Sequence, residues 1–344
     1  MVIGWDIGGA NVKAARLADA SGAAAVVERP FALWRDPYRL AAILAEVADK
    51  LGRADAAAVT MTAELADCFA TKRDGVVHVI DAFMGVFPLL PTWIFGVDGR
   101  FRTAAKARLE PGRVAAANWM ASALMVARSR PDAIFVDVGT TTADIIPIAG
   151  GRVCARGRTD TGRLRSGELV YTGVLRTPVC AVTRTVPLRG RRCRVAAEHF
   201  AIAADAHRWL GRIDDDQYTC ETPDGRGRGR DAAGARLARM ICADAGALRD
   251  EDITAIAEHV ARAQVQQIAN GIHQVVRRLA DAPPAVAIVA GSGSFLAADA
   301  ARSCGLAVSS LAETLGPDTA RALPATAVAS LLIEMLSVSP HTHA

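Results

Sequence analysis

The feature that most constrains the fold is a short pattern that occurs twice in the chain. Residues 2–17 (VIGWDIGGANVKAARL) and residues 133–148 (AIFVDVGTTTADIIPI) each contain an apolar run closed by Asp, a glycine-containing turn and a second apolar run. Two such runs around a short glycine turn are typical of a β-hairpin. The recurrence of the hairpin about 130 residues later is an internal repeat of a motif. The sequence therefore predicts an α/β protein with two similarly built lobes.

The rest of the chain is assigned around these hairpins. Helical spacing and short apolar runs alternate along it. A third apolar run at residues 285–290 leads into residues 291–294 (GSGS) and then into a helix. The predicted first lobe comprises residues 1–129 and a C-terminal helix at 325–338. The predicted second lobe comprises residues 130–324.

Composition excludes several functional classes. The chain has 344 residues, 51% of them hydrophobic, so it can bury the cores of two domains. The formal net charge of +4 is too small to argue for nucleic acid as a partner, and no run of about 18 apolar residues predicts a membrane span. Seven cysteines without metal-site spacing are expected to be free thiols, which favours the cytoplasm. A homo-oligomer is left open.

The two hairpin turns have the composition of a phosphate-binding site. Glycine lets an anionic group approach the backbone, and turn N–H groups and hydroxyls can donate to phosphate oxygens. Asp6 and Asp137, each at the end of a strand, can hold Mg²⁺ together with phosphate oxygens. A GSGS segment before a helix also favours an anion. The predicted phosphate-binding residues are Gly8, Gly9, Asn11, Lys13, Gly139, Thr140, Thr141, Thr142, Gly291, Ser292, Gly293 and Ser294.

Each of these motifs has a structural alternative. A single glycine hairpin with a capping Asp can be purely structural, and threonine also favours strands. Lysine is rare in this arginine-rich chain, which gives Lys13 more weight, although in a hairpin its side chain could face away from a phosphate. Two Asp-x-Gly turns in one chain are harder to attribute to chance. Together they predict a cleft that holds a di- or polyphosphate with Mg²⁺.

The order hairpin, hairpin, Gly-Ser-Gly resembles the superfamily of acetate kinase, sugar kinases, heat-shock-70 proteins and actin. Within it, the chain resembles the hydantoinase/oxoprolinase-like family, in particular its branch linked to tetrahydromethanopterin-dependent one-carbon transfer and archaeal methanofuran biosynthesis. The segments that resemble this branch are GWDIGGANVK, VTMTAELAD, DVGTTTADIIPI, SGELVYTGVLRTPVCA and RLARMICAD. The resemblance covers nearly the whole chain. It implies an α/β, actin-like two-domain fold with duplicated ribonuclease-H-like lobes.

The resemblance also implies a transferase reaction. An aminomethyl-furanmethanol diphosphate would lose pyrophosphate while forming an ether with the phenol of γ-glutamyl-tyramine or a tyrosine-like equivalent. The implied cofactor is Mg²⁺; ATP could bind but is not required. The implied partners are these two small molecules. The alternatives are an ATP-dependent small-molecule kinase or hydantoinase/oxoprolinase-type enzyme of the same fold, and a non-enzymatic nucleotide switch.

Further polar residues are candidates for catalysis and substrate contact. Glu64 follows an apolar strand, a usual position for a cleft residue, and could deprotonate the phenol or bind the substrate amine. A carboxylate at a helix N-terminus is the structural alternative. Residues 157–178 are predicted to be a substrate loop, because long polar loops in compact domains are usually functional. Its candidate substrate-binding residues are Arg158, Arg163, Glu168, Tyr171 and Arg176.

Overall fold

The computed structural model describes residues 1–20, 25–279 and 283–338. The strands within them are β1 (Val2–Ile7), β2 (Asn11–Leu17), β3 (Ala25–Pro30), β4 (Ala56–Met61), β5 (Thr92–Phe95), β6 (Phe101–Thr103), β7 (Ala133–Val138), β8 (Ala143–Ala149), β9 (Arg152–Val153), β10 (Leu169–Val170), β11 (Thr185–Leu188), β12 (Arg191–Arg194), β13 (Val286–Ala290) and β14 (Ala307–Ser310).

The α-helices are α1 (Leu40–Leu51), α2 (Lys72–Val86), α3 (Ala104–Leu109), α4 (Pro111–Val114), α5 (Asn118–Ser129), α6 (Asp160–Ser166), α7 (Val179–Val182), α8 (Ala203–Trp209), α9 (Arg230–Arg239), α10 (Asp250–Val276), α11 (Ser294–Ser303), α12 (Leu311–Leu315), α13 (Pro317–Arg321) and α14 (Leu323–Val338). Short 3₁₀ helices span Pro37–Arg39, Ala63–Leu65, Ala245–Ala247 and Arg277–Leu279. Across the described parts of the chain, none of these helices has the length and hydropathy needed to span a membrane.

The chain divides into two compact units. The first consists of Met1–Ala133, Pro147–Arg165 and the segment from Leu311, and the second of Ile134–Ile146 and Ser166–Ser310. This division differs from the predicted boundaries, because residues 147–165 and 311–324 group with the first unit. Side-chain contacts explain part of the difference: Arg158 Nη1 donates to the carbonyl oxygen of Val97 at 3.0 Å.

The first unit is built on a six-stranded sheet with the order β3-β2-β1-β4-β5-β6. Strand β1 is antiparallel to β2 and parallel to β4, and β4 is parallel to β5. All six residues of β4 are buried, as expected for a central strand covered on both faces. Helix α14 lies directly on β1, because a Cβ atom added at Gly4 would be 2.9 Å from the Cβ atom of Ala329.

The second unit repeats this arrangement. Its sheet has the order β10-β8-β7-β13-β14, with β9 on the end of β8. Strand β13 is parallel to both β7 and β14. Each sheet therefore has a hairpin with two parallel strands beside its first strand. The prediction of an α/β, actin-like fold with duplicated ribonuclease-H-like lobes is confirmed by this shared topology.

The prediction of a loop over residues 157–178 is wrong. Helix α6 and strand β10 occupy much of this segment, and its two halves belong to different units. Arginine and glutamate made the segment look solvated. Two of these residues, Arg163 and Glu168, are instead buried by partners far away in the sequence.

Candidate active site

The turn of the first hairpin is compact and open at its tip. The Gly8 N–H donates to the carbonyl oxygen of Asn11 at 2.9 Å, which closes the turn. The Leu33 N–H donates to the carbonyl oxygen of Gly9 at 3.0 Å and fixes the turn from one side. A Cβ atom added at Gly9 would meet no atom within 4 Å. Asp6 is the one residue of β1 that is not buried. This turn therefore has room for a ligand to approach its backbone.

The turn of the second hairpin has the same backbone hydrogen bond. The Gly139 N–H donates to the carbonyl oxygen of Thr142 at 2.9 Å. The hydroxyls of Thr140 and Thr141 lie 3.4 Å apart and are partly exposed. Asp137 is the one residue of β7 that is not buried, as Asp6 is in β1. The repeat read from the sequence therefore extends to the hydrogen bonding and burial of both turns.

Residues 172–177 form a backing segment behind the second turn. The Val174 N–H donates to the carbonyl oxygen of Gly139 at 3.0 Å, and the Arg176 N–H donates to that of Thr140 at 2.9 Å. A Cβ atom added at Gly173 would lie 2.6 Å from the carbonyl carbon of Thr141. Such a close approach requires glycine. The backing segment thus holds the threonine turn in one conformation.

The GSGS segment packs against the same hairpin. The Gly293 N–H donates to the carbonyl oxygen of Val138 at 2.8 Å. Gly291 has φ +87°, and a Cβ atom there would overlap the carboxylate of Asp137. Ser292 is exposed, and Ser294 is the first residue of α11. Three predicted features of the second unit are therefore brought together: the carboxylate, the threonine turn and the glycine-serine segment.

A buried amide network supports the backing segment and was not found from the sequence. Gln264 Nε2 donates to Thr172 Oγ1 at 3.0 Å and to the carbonyl oxygen of Gly173 at 2.9 Å. Gln264 Oε1 lies 2.9 Å from His207 Nε2. Burial lowers the pKa of His207 to about 4, so the imidazole is neutral at pH 7. A neutral ring can donate its Nε2 proton to the amide, which orients Gln264 toward the backbone of Gly173.

Lys13 has the least support among the predicted phosphate ligands. Its Nζ donates to the carbonyl oxygen of Arg321 at 2.8 Å and lies 3.5 Å from a carboxylate oxygen of Glu28. These contacts use the ammonium to hold the C-terminal segment and strand β3 within the first unit. Phosphate binding by Lys13 therefore stays a prediction.

Glu64 lies in the short 3₁₀ helix that follows β4 and is 1% exposed. Burial is the main cause that raises the pKa of its carboxyl to about 7. The negative charge of Asp160 raises the pKa further, and the positive charge of Lys72 opposes it. A carboxyl that titrates near neutrality can accept and return a proton at physiological pH, as a general base requires.

The predicted substrate residues of segment 157–178 are divided between the two units. The guanidinium of Arg163 is buried and stacks 4.4 Å from the ring centre of Trp119 in the first unit. Glu168 is fully buried in the second unit and pairs with Arg278 at 2.9 Å. Its enclosed and paired carboxylate gives no support to the predicted substrate contact by Glu168. Tyr171 is 60% exposed, and the backbone of Arg176 adjoins the threonine turn.

The carboxylates of the two hairpins suit Mg²⁺ as donors. Mg²⁺ prefers oxygen ligands and is usually held by one or two carboxylates together with phosphate oxygens. Among the residues that the structure describes, no cluster of three or more histidine, cysteine or acidic side chains forms a metal site by itself. Each unit offers one carboxylate at its turn: Asp137 lies beside Gly291 in the second unit, and Asp6 holds the matching position of β1 in the first.

The chain has relatives among characterised proteins. It is 36% identical over 340 residues, 98% of each chain, to (4-{4-[2-(gamma-L-glutamylamino)ethyl]phenoxymethyl}furan-2-yl)methanamine synthase of Methanocaldococcus jannaschii. It is 30% identical over 203 residues, 58% of this chain and 90% of the relative, to the protein of the same name from Methanococcus vannielii. Both relatives are named as enzymes, in agreement with the predicted enzymatic role.

Solved structures with similar architecture include two of different function. One is the activator of 2-hydroxyisocaproyl-CoA dehydratase from Clostridium difficile, at 12% identity, a TM-score of 0.46 and coverage of 100% of this chain and 99% of that chain. The other is the ROK hexokinase of Thermus thermophilus, at 17% identity, a TM-score of 0.44 and coverage of 97% and 99%.

The family assignment is independent of these structures. The hydantoinase/oxoprolinase family model matches residues 55–334, which include the second hairpin, the backing segment and the GSGS segment. The match covers well over half of the chain, and the similarity to the Methanocaldococcus protein covers nearly all of it. This chain belongs to the hydantoinase/oxoprolinase family.

Proposed function

We propose that this protein is a transferase of methanofuran biosynthesis that joins an aminomethyl-furanmethanol diphosphate to the phenol of γ-glutamyl-tyramine or a tyrosine-like substrate. The main support is the similarity to the Methanocaldococcus synthase, which extends over 98% of both chains. An ether between a furan methylene and a phenol, as in the product named for that relative, requires a leaving group on the methylene and an activated phenol oxygen. Diphosphate is a leaving group that the glycine turns are suited to bind.

The proposed step breaks one bond and forms another. The bond between the furan methylene and the diphosphate oxygen breaks, and its electron pair leaves with pyrophosphate. The phenol oxygen forms the new bond to the methylene carbon, and its proton passes to the carboxylate of Glu64. The furan ring stabilises positive charge on the methylene as the diphosphate departs. Atoms and charge balance without an oxidant or ATP.

The second hairpin is the best-supported diphosphate contact. Its threonine hydroxyls, its turn N–H groups and the start of α11 offer several donors within one unit, and donors fixed in advance stabilise developing negative charge effectively. Within this unit, Asp137 would hold Mg²⁺, which neutralises charge on the leaving pyrophosphate. The exposed Ser292 and the partly exposed Thr140 are suited to donate to its outer oxygens.

Glu64 fits the role of base better than the other candidate carboxylates. The carboxylate of Glu168 is held in an ion pair with Arg278, and Asp67, the other carboxylate that follows β4, is exposed to solvent. Burial raises the pKa of Glu64 to about 7, so its carboxyl can take up and return a proton near neutral pH. A carboxyl with its ordinary pKa would be a weaker acceptor for a phenol proton.

The deciding experiment uses purified protein, Mg²⁺, the furan diphosphate and the phenolic amine, with and without ATP. We expect pyrophosphate and the ether in equal amounts, measured by a coupled phosphate assay and mass spectrometry, at a rate that ATP does not change. The Glu64→Gln variant should lose about 10²- to 10⁴-fold in rate. Release of ADP without ether formation would indicate the kinase alternative instead.

We also propose that the protein acts in the cytoplasm on small molecules. The partners are the two small-molecule substrates rather than nucleic acid, in line with the small net charge. A reducing cytoplasm suits the seven cysteines, all of which are free thiols.

A further inference from the structure

His207 and Gln264 form a buried polar pair in the second unit, and the pair reaches the backing segment. His207 lies on α8 and Gln264 on α10, and neither residue is accessible to solvent. The amide nitrogen of Gln264 donates to Thr172 Oγ1 and to the carbonyl oxygen of Gly173, which uses both of its protons. The amide oxygen therefore faces His207 Nε2, at 2.9 Å, and accepts a hydrogen bond from it. This arrangement fixes the Nε2–H form of the imidazole.

The other ring nitrogen of His207 agrees with this assignment. Within the part of the chain that the structure describes, the buried Nδ1 has no hydrogen-bond partner. Protonation of the ring would create a second N–H donor at this position without an acceptor, which is costly in a buried site. Burial lowers the pKa of His207 to about 4, in keeping with a neutral ring. The imidazole is therefore a permanent donor to Gln264 at neutral pH.

The same imidazole also lies against the start of α11. Its ring centre is 5.2 Å from that of Phe295, and the two ring planes are 78° apart, which is an edge-to-face contact. Phe295 directly follows the GSGS segment. The GSGS segment in turn packs on the backing segment, because a Cβ atom added at Gly293 would be 3.1 Å from the Cβ atom of Val174. One histidine thus supports both segments that enclose the second turn.

We propose that His207 and Gln264 are positioning residues that hold the backing segment and the GSGS segment in one fixed arrangement around the second turn. Gln264 holds the backing segment at Gly173. The backing segment then donates to the carbonyl oxygens of Gly139 and Thr140. Donors that are fixed before a ligand binds need no reorganisation when they meet its charge. The effect on a diphosphate rests on the proposed function, whereas the coupling of the two segments does not.

Helix α8 has anchors other than His207, so substitutions at this residue can be tested in folded protein. The buried carboxylate of Asp205 accepts hydrogen bonds from the hydroxyl of Tyr218 at 2.8 Å and from Arg236 Nε at 2.8 Å. A change at His207 removes the contacts to Gln264 and Phe295 and leaves these anchors in place.

Two substitutions of His207 that differ in reach form the main test. Glutamine places its amide nitrogen near the position of Nε2, so His207→Gln can still donate to Gln264. Asparagine places its amide nitrogen near the position of Nδ1, so His207→Asn cannot. Both variants lose the ring contact with Phe295. His199→Asn, at an exposed histidine of the same unit, is the matched control.

Hydrogen exchange followed by mass spectrometry measures the coupling without ligand or turnover. His207→Asn should raise amide exchange about tenfold in both residues 172–177 and residues 291–296. His207→Gln should restore protection of 172–177 but not of 291–296, because it keeps the hydrogen bond and lacks the ring. His199→Asn should change neither segment. A rise in His207→Asn that is confined to one segment, or absent from both, would overturn the proposal.

Calorimetry with pyrophosphate and Mg²⁺ connects the coupling to the ligand. We expect His207→Asn to weaken pyrophosphate binding about tenfold and His207→Gln about threefold or less. Gln264→Met, which fills a similar volume without the amide, should resemble His207→Asn. A purely structural role would lower the stability of these variants and leave the pyrophosphate affinity of the folded protein unchanged. That result would overturn the positioning role.

Turnover distinguishes failure of the positioning role from failure of the proposed function. With the furan diphosphate and the phenolic amine as substrates, His207→Asn should raise the KM for the diphosphate, while the KM for the phenolic amine changes by less than about twofold. If the original protein binds pyrophosphate in a manner that depends on His207 but forms no ether, the proposed function is wrong and the positioning role stands. If ether forms at the same rate and the same KM values in all variants, the positioning role is wrong and the proposed function stands.

Discussion

The two hairpins have the same backbone hydrogen bonding but differ in the segments that pack against them. Both strands preceding the turns leave only their Asp partly exposed, and both turns close with a 2.9 Å hydrogen bond. The first hairpin has Gly4 where the second has Phe135, because helix α14 lies against the first sheet at that position. The first turn is open at Gly9, whereas the backing segment and the GSGS segment enclose the second. The repeated motif thus preserves the carboxylate and the turn, while the packing around them has diverged.

The largest expected effect comes from Gly4→Ala. The added methyl group would overlap the carbonyl oxygen of Ala325 and approach the Cβ atom of Ala329, both on the rigid helix α14. We expect the free energy of unfolding to fall by more than about 3 kcal/mol, since neither the strand nor the helix can move without disturbing the core. Urea denaturation followed by circular dichroism measures this change.

Gly85→Ala is the matched control for this substitution. Gly85 is an exposed residue of α2, and a Cβ atom there would meet nothing within 4 Å. Alanine should leave the stability unchanged or raise it slightly, because it favours the helix. Equal effects of the two substitutions would show that α14 does not lie on β1 as described.

The next effect tests whether the two hairpins act as equals in catalysis. Asp6→Asn and Asp137→Asn should each lower kcat/KM by about 10²-fold, or roughly 2.7 kcal/mol of transition-state free energy, through loss of a Mg²⁺ ligand. The exposed Asp67 supplies the control, Asp67→Asn, which should keep full activity. A loss confined to Asp137→Asn would assign the diphosphate to the enclosed turn alone. Full activity of both variants would refute the metal assignment.

The hairpins were predictable because their signal is local. Each hairpin lies within sixteen consecutive residues. The apolar run, the Asp and the glycine turn that form it are therefore all visible in one short stretch of sequence. The same holds for β13 and the GSGS segment, where strand and helix start are adjacent.

Segment 157–178 was not predictable in this way because its partners are distant. Arg163 stacks on Trp119, Glu168 pairs with Arg278, and Asp160 pairs with Lys72, 88 residues away. A single sequence gives a buried arginine and a solvated arginine the same signal. For Lys72, the one feature of the sequence that could have drawn attention to it is that it is one of only four lysines in the chain. The rarity of lysine also gave weight to Lys13 as a phosphate ligand, and in the structure its ammonium contacts Arg321 and Glu28.

A smaller effect on stability is expected from Gly173→Ala in the backing segment. The methyl group would lie 2.6 Å from the carbonyl carbon of Thr141, but the segment has irregular backbone and can shift slightly. We expect a loss of about 2 kcal/mol in unfolding free energy, together with weaker binding of pyrophosphate measured by calorimetry. The control is Gly246→Ala, at an exposed position of the same unit with no atom within 4 Å of the added Cβ atom. Unchanged pyrophosphate affinity would separate the backing segment from the ligand site.

The smallest effect should come from Gly9→Thr, which gives the first turn the residue that the second has at Thr140. No atom lies within 4 Å of the added Cβ position, and the φ of Gly9 is outside the left-handed region, so the side chain meets neither a steric nor a conformational barrier. We expect the unfolding free energy to change by less than about 0.5 kcal/mol. A loss of unfolding free energy as large as that of Gly173→Ala would mean that other segments pack as closely on the first turn as on the second. The two hairpins would then differ in packing only at Gly4 and Phe135.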